Sequence, residues 1–458
     1  MLPASAIRVA EAIEGHTWLA SEIKTWIAEM SAAGVAGAHT TQLATLDAAL
    51  SPTVEAIGGE LQRAVDGGLD LGGAYAAARL TERRAIFCRR LFQWYATRFE
   101  QRRGRGATPG AAQDDDASDD IQLCLAAADE VVWSTWARTF TAAGIARPPA
   151  PLPFIDNDAV PWASFHNALP GDAQPPSVDP FFKRRIRELP VAVIGLPPMV
   201  VRRPWWLVVA IHETGHHVQQ MLGDDLVGAT AKALTEAATA AGATPAEAQQ
   251  WADWSGELFA DAFAAVFAGD ASVWAIEELE RGHPADLVRA RPTYPPAVIR
   301  LQLASMAVVA TGCTAPEVTL TDPATPVDLA RVETLALRSE PILRALLALP
   351  LGQTTLGELA GDARARSEAQ TRWALGFAGP TDPEPVLKVE AAAECVAGAV
   401  TAWRTVVEAE IGADPEPLKG RVLRVLPKCR ASGVRAAAAL VEPAAQLIEA
   451  LLDPEAPL

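Results

Sequence analysis

The sequence predicts a mainly α-helical protein with a small β element. Apolar side chains recur every three to four residues over most of the chain, which is typical of amphipathic helices. Two short apolar runs rich in β-branched residues, 189–197 and 199–202, instead favour strands or an edge hairpin. Helices are expected at about 4–33, 41–66, 74–100, 120–143 and 204–222, and again over most of the chain beyond residue 244.

Composition shifts divide the 458 residues into three regions. Residues 1–145 form an N-terminal helical region, in which arginines, glycines and aspartates at about 101–120 are typical of a flexible acidic loop. The central region, 146–310, contains a proline-rich passage, the strands and the 204–222 helix. Residues 311–458 are predicted to form a C-terminal helical region.

The net charge and the cysteines limit which partners and which cellular location we expect. The chain has 39 basic and 56 acidic residues, a net charge of −17. A negative field of this size repels phosphates and anionic lipids, so neither nucleic acid nor a membrane is an expected partner. Glycine and prolines interrupt the longest apolar run, Val191–Val201, and the N-terminus lacks a signal-peptide pattern. Five widely spaced cysteines are typical of reduced thiols, which favours a cytoplasmic location.

The helix at 204–222 carries the chemistry. His212 and His216 are four residues apart, so their imidazoles lie on one helix face and can bind one zinc ion. Glu213 lies about 100° further round the helix, where its carboxylate can act as a general base without binding the metal. Composition alone predicts roughly 0.006 chance matches to this HExxH pattern in the chain, so the pattern indicates a metal site.

A catalytic zinc site needs a third protein ligand. Leu222 stands where one class of zinc peptidases has a third histidine, and His217 points to another helix face. Downstream, Glu257 and Asp261 are four apart on a second predicted helix. Glu257 is the expected third ligand, and Asp261 is expected to accept a hydrogen bond from a ligating histidine. Asp253 and Asp261 remain alternatives for the third ligand.

This combination, HExxH followed by a helix carrying ExxxD, resembles the gluzincin metallopeptidases over about residues 185–305. The resemblance implies a zincin-like core for the central region, one Zn²⁺ per chain held by His212, His216 and Glu257, and Glu213 as the base. Two imidazoles and a carboxylate favour zinc over manganese or cobalt.

A second segment, from Tyr294-Pro295-Pro296 to Arg300, is similar to the His-Pro-Pro segment ending in arginine of the CAAX-protease and heat-shock membrane gluzincins. The resemblance implies an arginine near the active site, and Tyr294 stands where histidine is usual. A tyrosine hydroxyl can donate a hydrogen bond to an oxyanion, so Tyr294 and Arg300 are candidate catalytic residues. His283, which is followed by proline and by Arg289, has the same spacing and is an alternative.

The expected function is therefore hydrolysis of a peptide or protein substrate by a zinc peptidase. Long flanking regions suggest restricted access or a regulatory protein partner. Two alternatives stay open. The helices could form a partner-binding scaffold around a structural zinc, which would need a fourth ligand from His217, His283 or Asp253. The site could also hydrolyse something other than a peptide.

Overall fold

The computed structural model describes residues 4–33, 36–103, 115–164, 190–222, 225–281, 284–314, 326–389, 391–410 and 413–430. Helices dominate these ranges, and the strands form one three-stranded and one two-stranded sheet. The predicted fold class, mainly α with a small β element, is confirmed. Within the described residues no helix is long and apolar enough to cross a membrane.

The chain begins with three long helices. These are α1 (Ala4–Ala32), α2 (Ala36–Asp66) and α3 (Leu71–Glu100). The Asp70 side chain caps α3 by accepting a hydrogen bond from the Gly73 amide at 2.7 Å. The helices pack on one another through an apolar cluster that also includes Leu152, Phe154 and Val193. This cluster joins the N-terminal helices to the first sheet.

The next helix, α4 (Asp115–Ala143), starts inside the segment predicted as an acidic loop. Aspartates are favoured at a helix N-terminus because they complement the helix dipole, so this part of the loop prediction was wrong. Residues 104–114 of that segment lie outside the described residues. Although it belongs to the predicted N-terminal region, α4 contacts the helix that carries the two histidines.

The first sheet contains β1 (Leu152–Ile155), β2 (Trp162–Ser164) and β3 (Val193–Leu196) in the order β1-β3-β2. β3 pairs with β1 in parallel and with β2 in antiparallel orientation. The run at 189–197 therefore contains a strand, one of the two forms predicted for it, and not an edge hairpin. Both edges of β3 are already paired, so this strand has no edge left for an extended peptide.

Alternating side chains of β3 lie in different cores. Val193 belongs to the cluster of the N-terminal helices, whereas Ile194 and Leu196 belong to a larger core built from the central and C-terminal helices. This alternation is the period of two expected of a strand covered on both faces. Gly195 is required by Trp162 of β2, because a Cβ atom at position 195 would lie 2.3 Å from the indole ring.

Residues 199–202, predicted as a strand, form a one-turn helix, α5 (Met199–Arg202). Pro197 and Pro198 precede it, and proline lacks the amide that a sheet ladder needs. Pro198 has φ of −59°, which starts a helical turn instead. A buried 3₁₀ turn (Pro204–Val208) then leads into α6 (Val209–Met221), which together account for the helix predicted at 204–222.

The remaining described elements are mainly helices, which fall into two groups along the chain. The first group is α7 (Leu226–Ala240), α8 (Pro245–Asp253), α9 (Ser255–Ala268), α10 (Asp270–Glu280), α11 (Pro284–Leu287) and α12 (Ala297–Ala310). The second is α13 (Pro326–Ala336), α14 (Ser339–Leu347), β4 (Pro350–Leu351), β5 (Thr354–Thr355), α15 (Ala363–Ala378), α16 (Ala391–Ala409) and α17 (Glu416–Val425). The predicted regional boundaries at 145 and 310 stay predictions.

Candidate metal centre

The site is built on α6, whose helical geometry places the two histidines together. The ring centroids of His212 and His216 lie 4.8 Å apart, and their Nε2 atoms are 3.1 Å apart. Away from the histidines, α6 is buried in the large core through Ile211 and Val218. Burial of these side chains orients the histidine face away from the core centre and towards α9.

A close crossing of α6 and α9 brings Glu257 to the histidines. Its Oε2 atom lies 3.5 Å from His212 Nε2, and its Oε1 atom lies 3.5 Å from His216 Nε2. The three side chains form a group that could hold a metal ion, with their donor atoms all within 4.8 Å of one another. The structure therefore brings together the three residues predicted as ligands.

The spacing of these donors fits a small tetrahedral ion. Zinc bonds of ~2.0–2.1 Å in tetrahedral geometry place donor atoms about 3.3–3.4 Å apart. The two imidazole nitrogens are 3.1 Å apart, and each lies 3.5 Å from a different oxygen of Glu257, so these separations are close to that value. In the part of the chain that the structure describes, no fourth side chain joins this group. Three protein donors leave one position of a tetrahedron open.

Asp261 lies behind His212, as predicted. The His212 Nδ1–H donates to Asp261 Oδ1 at 3.0 Å, which leaves Nε2 directed at His216 and Glu257. Arg300 Nε and Nη2 donate to the two oxygens of Asp261, both at 2.8 Å. Asp261 is 1% exposed, and this guanidinium holds the pKa of its carboxyl well below the usual range despite the opposing effect of burial.

Glu213 lies beside the three donors with no hydrogen bond or ion pair to any described residue. It is 5% exposed. Burial raises the pKa of Glu213 to about 7; the nearby Glu257 carboxylate adds to the rise, whereas His212 opposes it. A carboxylate with a pKa near neutrality is suited to accept a proton and release it again, as a general base must.

The two histidines have opposite pKa shifts. Burial lowers the pKa of His212, but hydrogen bonds to Asp261 and Glu257 outweigh it and raise the pKa to about 10. Burial and the neighbouring charge on His212 lower the pKa of His216 to about 4. Without a metal, His212 is therefore charged and His216 neutral at neutral pH. A metal ion would have to displace a proton from His212.

Tyr294 lies at the solvent side of the site and is 36% exposed. Its hydroxyl interacts with Glu257, and its ring centroid lies 5.7 Å from Arg300 Cζ. Burial, followed by the charge of Glu257, raises the pKa of Tyr294 to about 12, so the hydroxyl keeps its proton at neutral pH. The structure thus places Tyr294 where its hydroxyl can donate a hydrogen bond.

Arg300 has a different position from the one expected of an oxyanion donor. Its side chain is buried, and its guanidinium also donates through Nη1 to Glu280 at 2.6 Å and lies 3.5 Å from Glu257. The N–H groups of Arg300 are thus engaged by carboxylates of the protein. Arg300 therefore contacts Asp261 and Glu257 and is not placed to donate a hydrogen bond to a substrate oxyanion. Sequence reasoning missed Glu280, since it belongs to no motif and only the approach of α10 to α12 reveals it.

The residues considered as alternative metal ligands either lie away from the three donors or fall outside the described residues. Asp253, at the end of α8, accepts a hydrogen bond from Gln249 at 2.9 Å on the surface. His217 is buried and donates through Nε2 to the Val193 carbonyl of β3 at 3.0 Å, which ties α6 to the sheet. His283 lies outside the described residues.

Comparison with protein-family models, curated proteins and solved structures finds no match to this chain.

Proposed function

We propose that this chain is a zinc-dependent metallopeptidase of gluzincin type that binds one Zn²⁺. The observation that carries the proposal is the group formed by His212, His216 and Glu257, with Glu213 beside it and no direct partner among the described residues. A structural metal has no use for a buried carboxylate of near-neutral pKa at this position, whereas hydrolysis requires one.

The residues of the site would divide the chemistry as follows. Zinc held by the three donors would supply a Lewis acid and lower the pKa of a coordinated water. Glu213 would accept a proton from the attacking water and deliver it to the leaving amine, for which its pKa of about 7 is well matched. Tyr294 would donate its hydroxyl proton in a hydrogen bond to the developing oxyanion.

A peptide or protein is the proposed substrate class, and the long helical flanks support a regulatory protein partner. A cytoplasmic location belongs to the same proposal. It is supported by five free cysteines, of which four are buried.

The partner-binding scaffold with a structural zinc is less well supported. Such a site is closed by four protein ligands, and the described residues supply three. His217 and Asp253, two of the three candidates for a fourth ligand, are engaged with Val193 and Gln249 respectively.

The first test is metal content per chain by elemental analysis, with wild type, Glu257→Ala and Glu213→Gln side by side. We expect close to one zinc in wild type, a large loss in Glu257→Ala, and retained zinc in Glu213→Gln. Asp253→Ala is a matched control, because it removes a nearby surface carboxylate and should keep its zinc.

The second test is hydrolysis of a mixed peptide library by the zinc-loaded protein, read by mass spectrometry. Cleavage that Glu213→Gln abolishes while retaining zinc would support the peptidase. Zinc without peptide cleavage, but with cleavage of small esters or amides, would favour a non-peptide hydrolase. Absence of zinc after reconstitution would contradict the proposal and leave the helical scaffold.

A further inference from the structure

Glu280 is the last residue of α10, and its hydrogen bond to Arg300 connects it to the candidate metal centre. Its Oε1 atom accepts a hydrogen bond from Arg300 Nη1 at 2.6 Å, and its Oε2 atom lies 3.9 Å from Arg291 Nη2. The Glu280 side chain is 18% exposed, so this ion pair is largely removed from solvent. The ligand group and the proposed chemistry assign it no role.

Glu280 accepts the hydrogen bond that Asp261 leaves unmade on the buried guanidinium of Arg300. Asp261 accepts from Nε and Nη2 of Arg300, the two nitrogens on one edge of the planar fork. Glu280 accepts from Nη1, which that edge does not present. With acceptors on two sides, the guanidinium plane is held against rotation about the side chain of Arg300. Removing Glu280 would leave one buried donor without its acceptor.

The contacts continue from Arg300 to the metal ligand. Asp261 accepts the Nδ1–H of His212 at 3.0 Å, so Glu280, Arg300, Asp261 and His212 form a continuous chain of charged hydrogen bonds. Its members come from α10, α12, α9 and α6, four separate helices. Each link is short and mostly buried, which strengthens the electrostatic coupling along the chain.

We propose that Glu280 is a positioning residue of the metal centre. Through Arg300 it holds Asp261, and through Asp261 it sets the ring orientation of His212, so its removal weakens metal binding although it contacts neither histidine. Arg300 also lies 3.5 Å from Glu257, so the same guanidinium links Glu280 to a second proposed ligand. Outer partners of metal-binding histidines tune affinity in this way. The inference rests on the metal-binding part of the proposed function and not on the identity of the substrate.

The experiment measures Zn²⁺ and Co²⁺ dissociation constants of the full-length metal-free protein. We expect Glu280→Gln to weaken both metals about tenfold, the low end of the range for outer partners of ligands. The Co²⁺ absorption spectrum should change in band position, because the ligand geometry relaxes. Glu280→Asp keeps the charge and should recover part of the affinity.

Glu278→Gln is the matched control. Glu278 lies on the same helix turn, and its carboxylate pairs with Arg281 at 2.8 Å rather than with Arg300. This variant loses the same charge at a similar position, so it should bind both metals as wild type does. A thermal unfolding curve for each variant, recorded without metal, separates loss of fold from loss of affinity.

A double-mutant comparison tests whether Glu280 acts on the metal centre through Arg300. If Glu280 acts through Arg300, then Glu280→Gln added to Arg300→Lys should weaken binding no further than Arg300→Lys alone. Additive losses would overturn the proposal, as would a Glu280→Gln affinity within twofold of wild type. If Glu280→Gln does not fold, the same Co²⁺ spectrum and affinity are measured for Glu280→Asp instead. A spectrum and an affinity equal to those of wild type in Glu280→Asp would overturn the proposal.

Failure of the two proposals can be told apart. Wild type that binds metal but cleaves no peptide contradicts the peptidase, whereas the affinity measurements still decide the role of Glu280. Wild type that binds neither Zn²⁺ nor Co²⁺ overturns both.

Discussion

Gly215 of α6 lies against Ala260 of α9 so closely that a Cβ atom on Gly215 would be 3.0 Å from the Ala260 Cα and 3.1 Å from the Phe263 ring. His212 and His216, two of the proposed metal ligands, are on one of these helices, and Glu257, the third, is on the other. The absence of a side chain at Gly215 is therefore what lets the two helices approach closely enough for three donors to meet.

Gly215→Ala should accordingly lower both metal affinity and stability. The added methyl group costs about 1–3 kcal/mol of packing, of which the higher helix propensity of alanine offsets about 1 kcal/mol. We expect Zn²⁺ affinity to fall about tenfold, because ligand positions tolerate only ~0.2 Å of displacement. Isothermal titration and urea unfolding measure the two effects.

The control is Gly256→Ala on α9, next to Glu257. A Cβ atom there would meet only Gln219 Oε1, at 3.7 Å, which is an ordinary contact. This variant should bind zinc normally and gain up to about 1 kcal/mol in stability from helix propensity. Equal zinc affinities of the two alanine variants would show that the close crossing does not govern the site.

The metal-free protein should become less stable as the pH rises through the titration of Glu213. Its folded-state pKa of about 7 lies above the ordinary value of 4.5, so the folded state binds more protons than the unfolded state between these pH values. Below pH 4.5 the carboxyl is protonated in both states and has no effect. Above pH 7 the folded state bears the full cost of burying the charge, which for this pKa difference is roughly 3 kcal/mol.

Glu213→Gln removes that cost. The variant should be more stable than wild type at pH 8 and nearly equal to it at pH 4.5, as measured by urea unfolding in the presence of a chelator. Glu236→Gln, a change at an exposed carboxylate on α7, should leave the pH profile unaltered. A Glu213→Gln variant that is no more stable than wild type at pH 8 would contradict the raised pKa.

Zinc binding should release a proton and strengthen with pH. In the metal-free protein the pKa of His212 is about 10, so its imidazole is charged at pH 7, whereas a ligand must be neutral. Affinity should therefore rise about tenfold per pH unit between pH 6 and 8. His216, with a pKa of about 4, is already neutral there and releases none.

Calorimetry in buffers of different ionisation enthalpy counts the released protons. A value near one at pH 7 is expected from the histidines. The Asp261→Asn variant should release fewer protons, because the hydrogen bond that helps to raise the pKa of His212 is weakened. Wild-type binding that is independent of both buffer and pH would contradict the raised pKa of His212.

Tyr294→Phe should impair hydrolysis while leaving the metal in place. The hydroxyl is the proposed donor to the oxyanion, and removing one such donor typically lowers kcat by about 10²–10³. Zinc content and unfolding should match wild type, since Tyr294 is 36% exposed and is not among the three donors. Tyr75→Phe, on the exposed surface of α3, is the control.

The outcome for Tyr294→Phe distinguishes two roles. A fall in kcat with unchanged KM supports transition-state stabilisation. A rise in KM alone would assign Tyr294 to substrate binding, and loss of zinc would place it among the groups that support Glu257.

The sequence by itself determined the features that depend on local periodicity. Residues four apart on a helix share a face, so the pairing of His212 with His216 and the offset of Glu213 follow from the 3.6-residue repeat. The long helices and the central proline-rich interruption follow from the same kind of short-range pattern.

Tertiary structure decided how those local features combine. Helix periodicity places Glu257 and Asp261 on one face of α9, but the 3.5 Å approach to the histidines depends on the crossing at Gly215. Tertiary contacts also decide which carboxylates pair with Arg300, namely Asp261 and Glu280. The central position of β3 likewise depends on chain directions that no local repeat encodes. A single sequence records which side chains are present along each element, whereas the packing of α6, α9, α10 and α12 selects which of them meet.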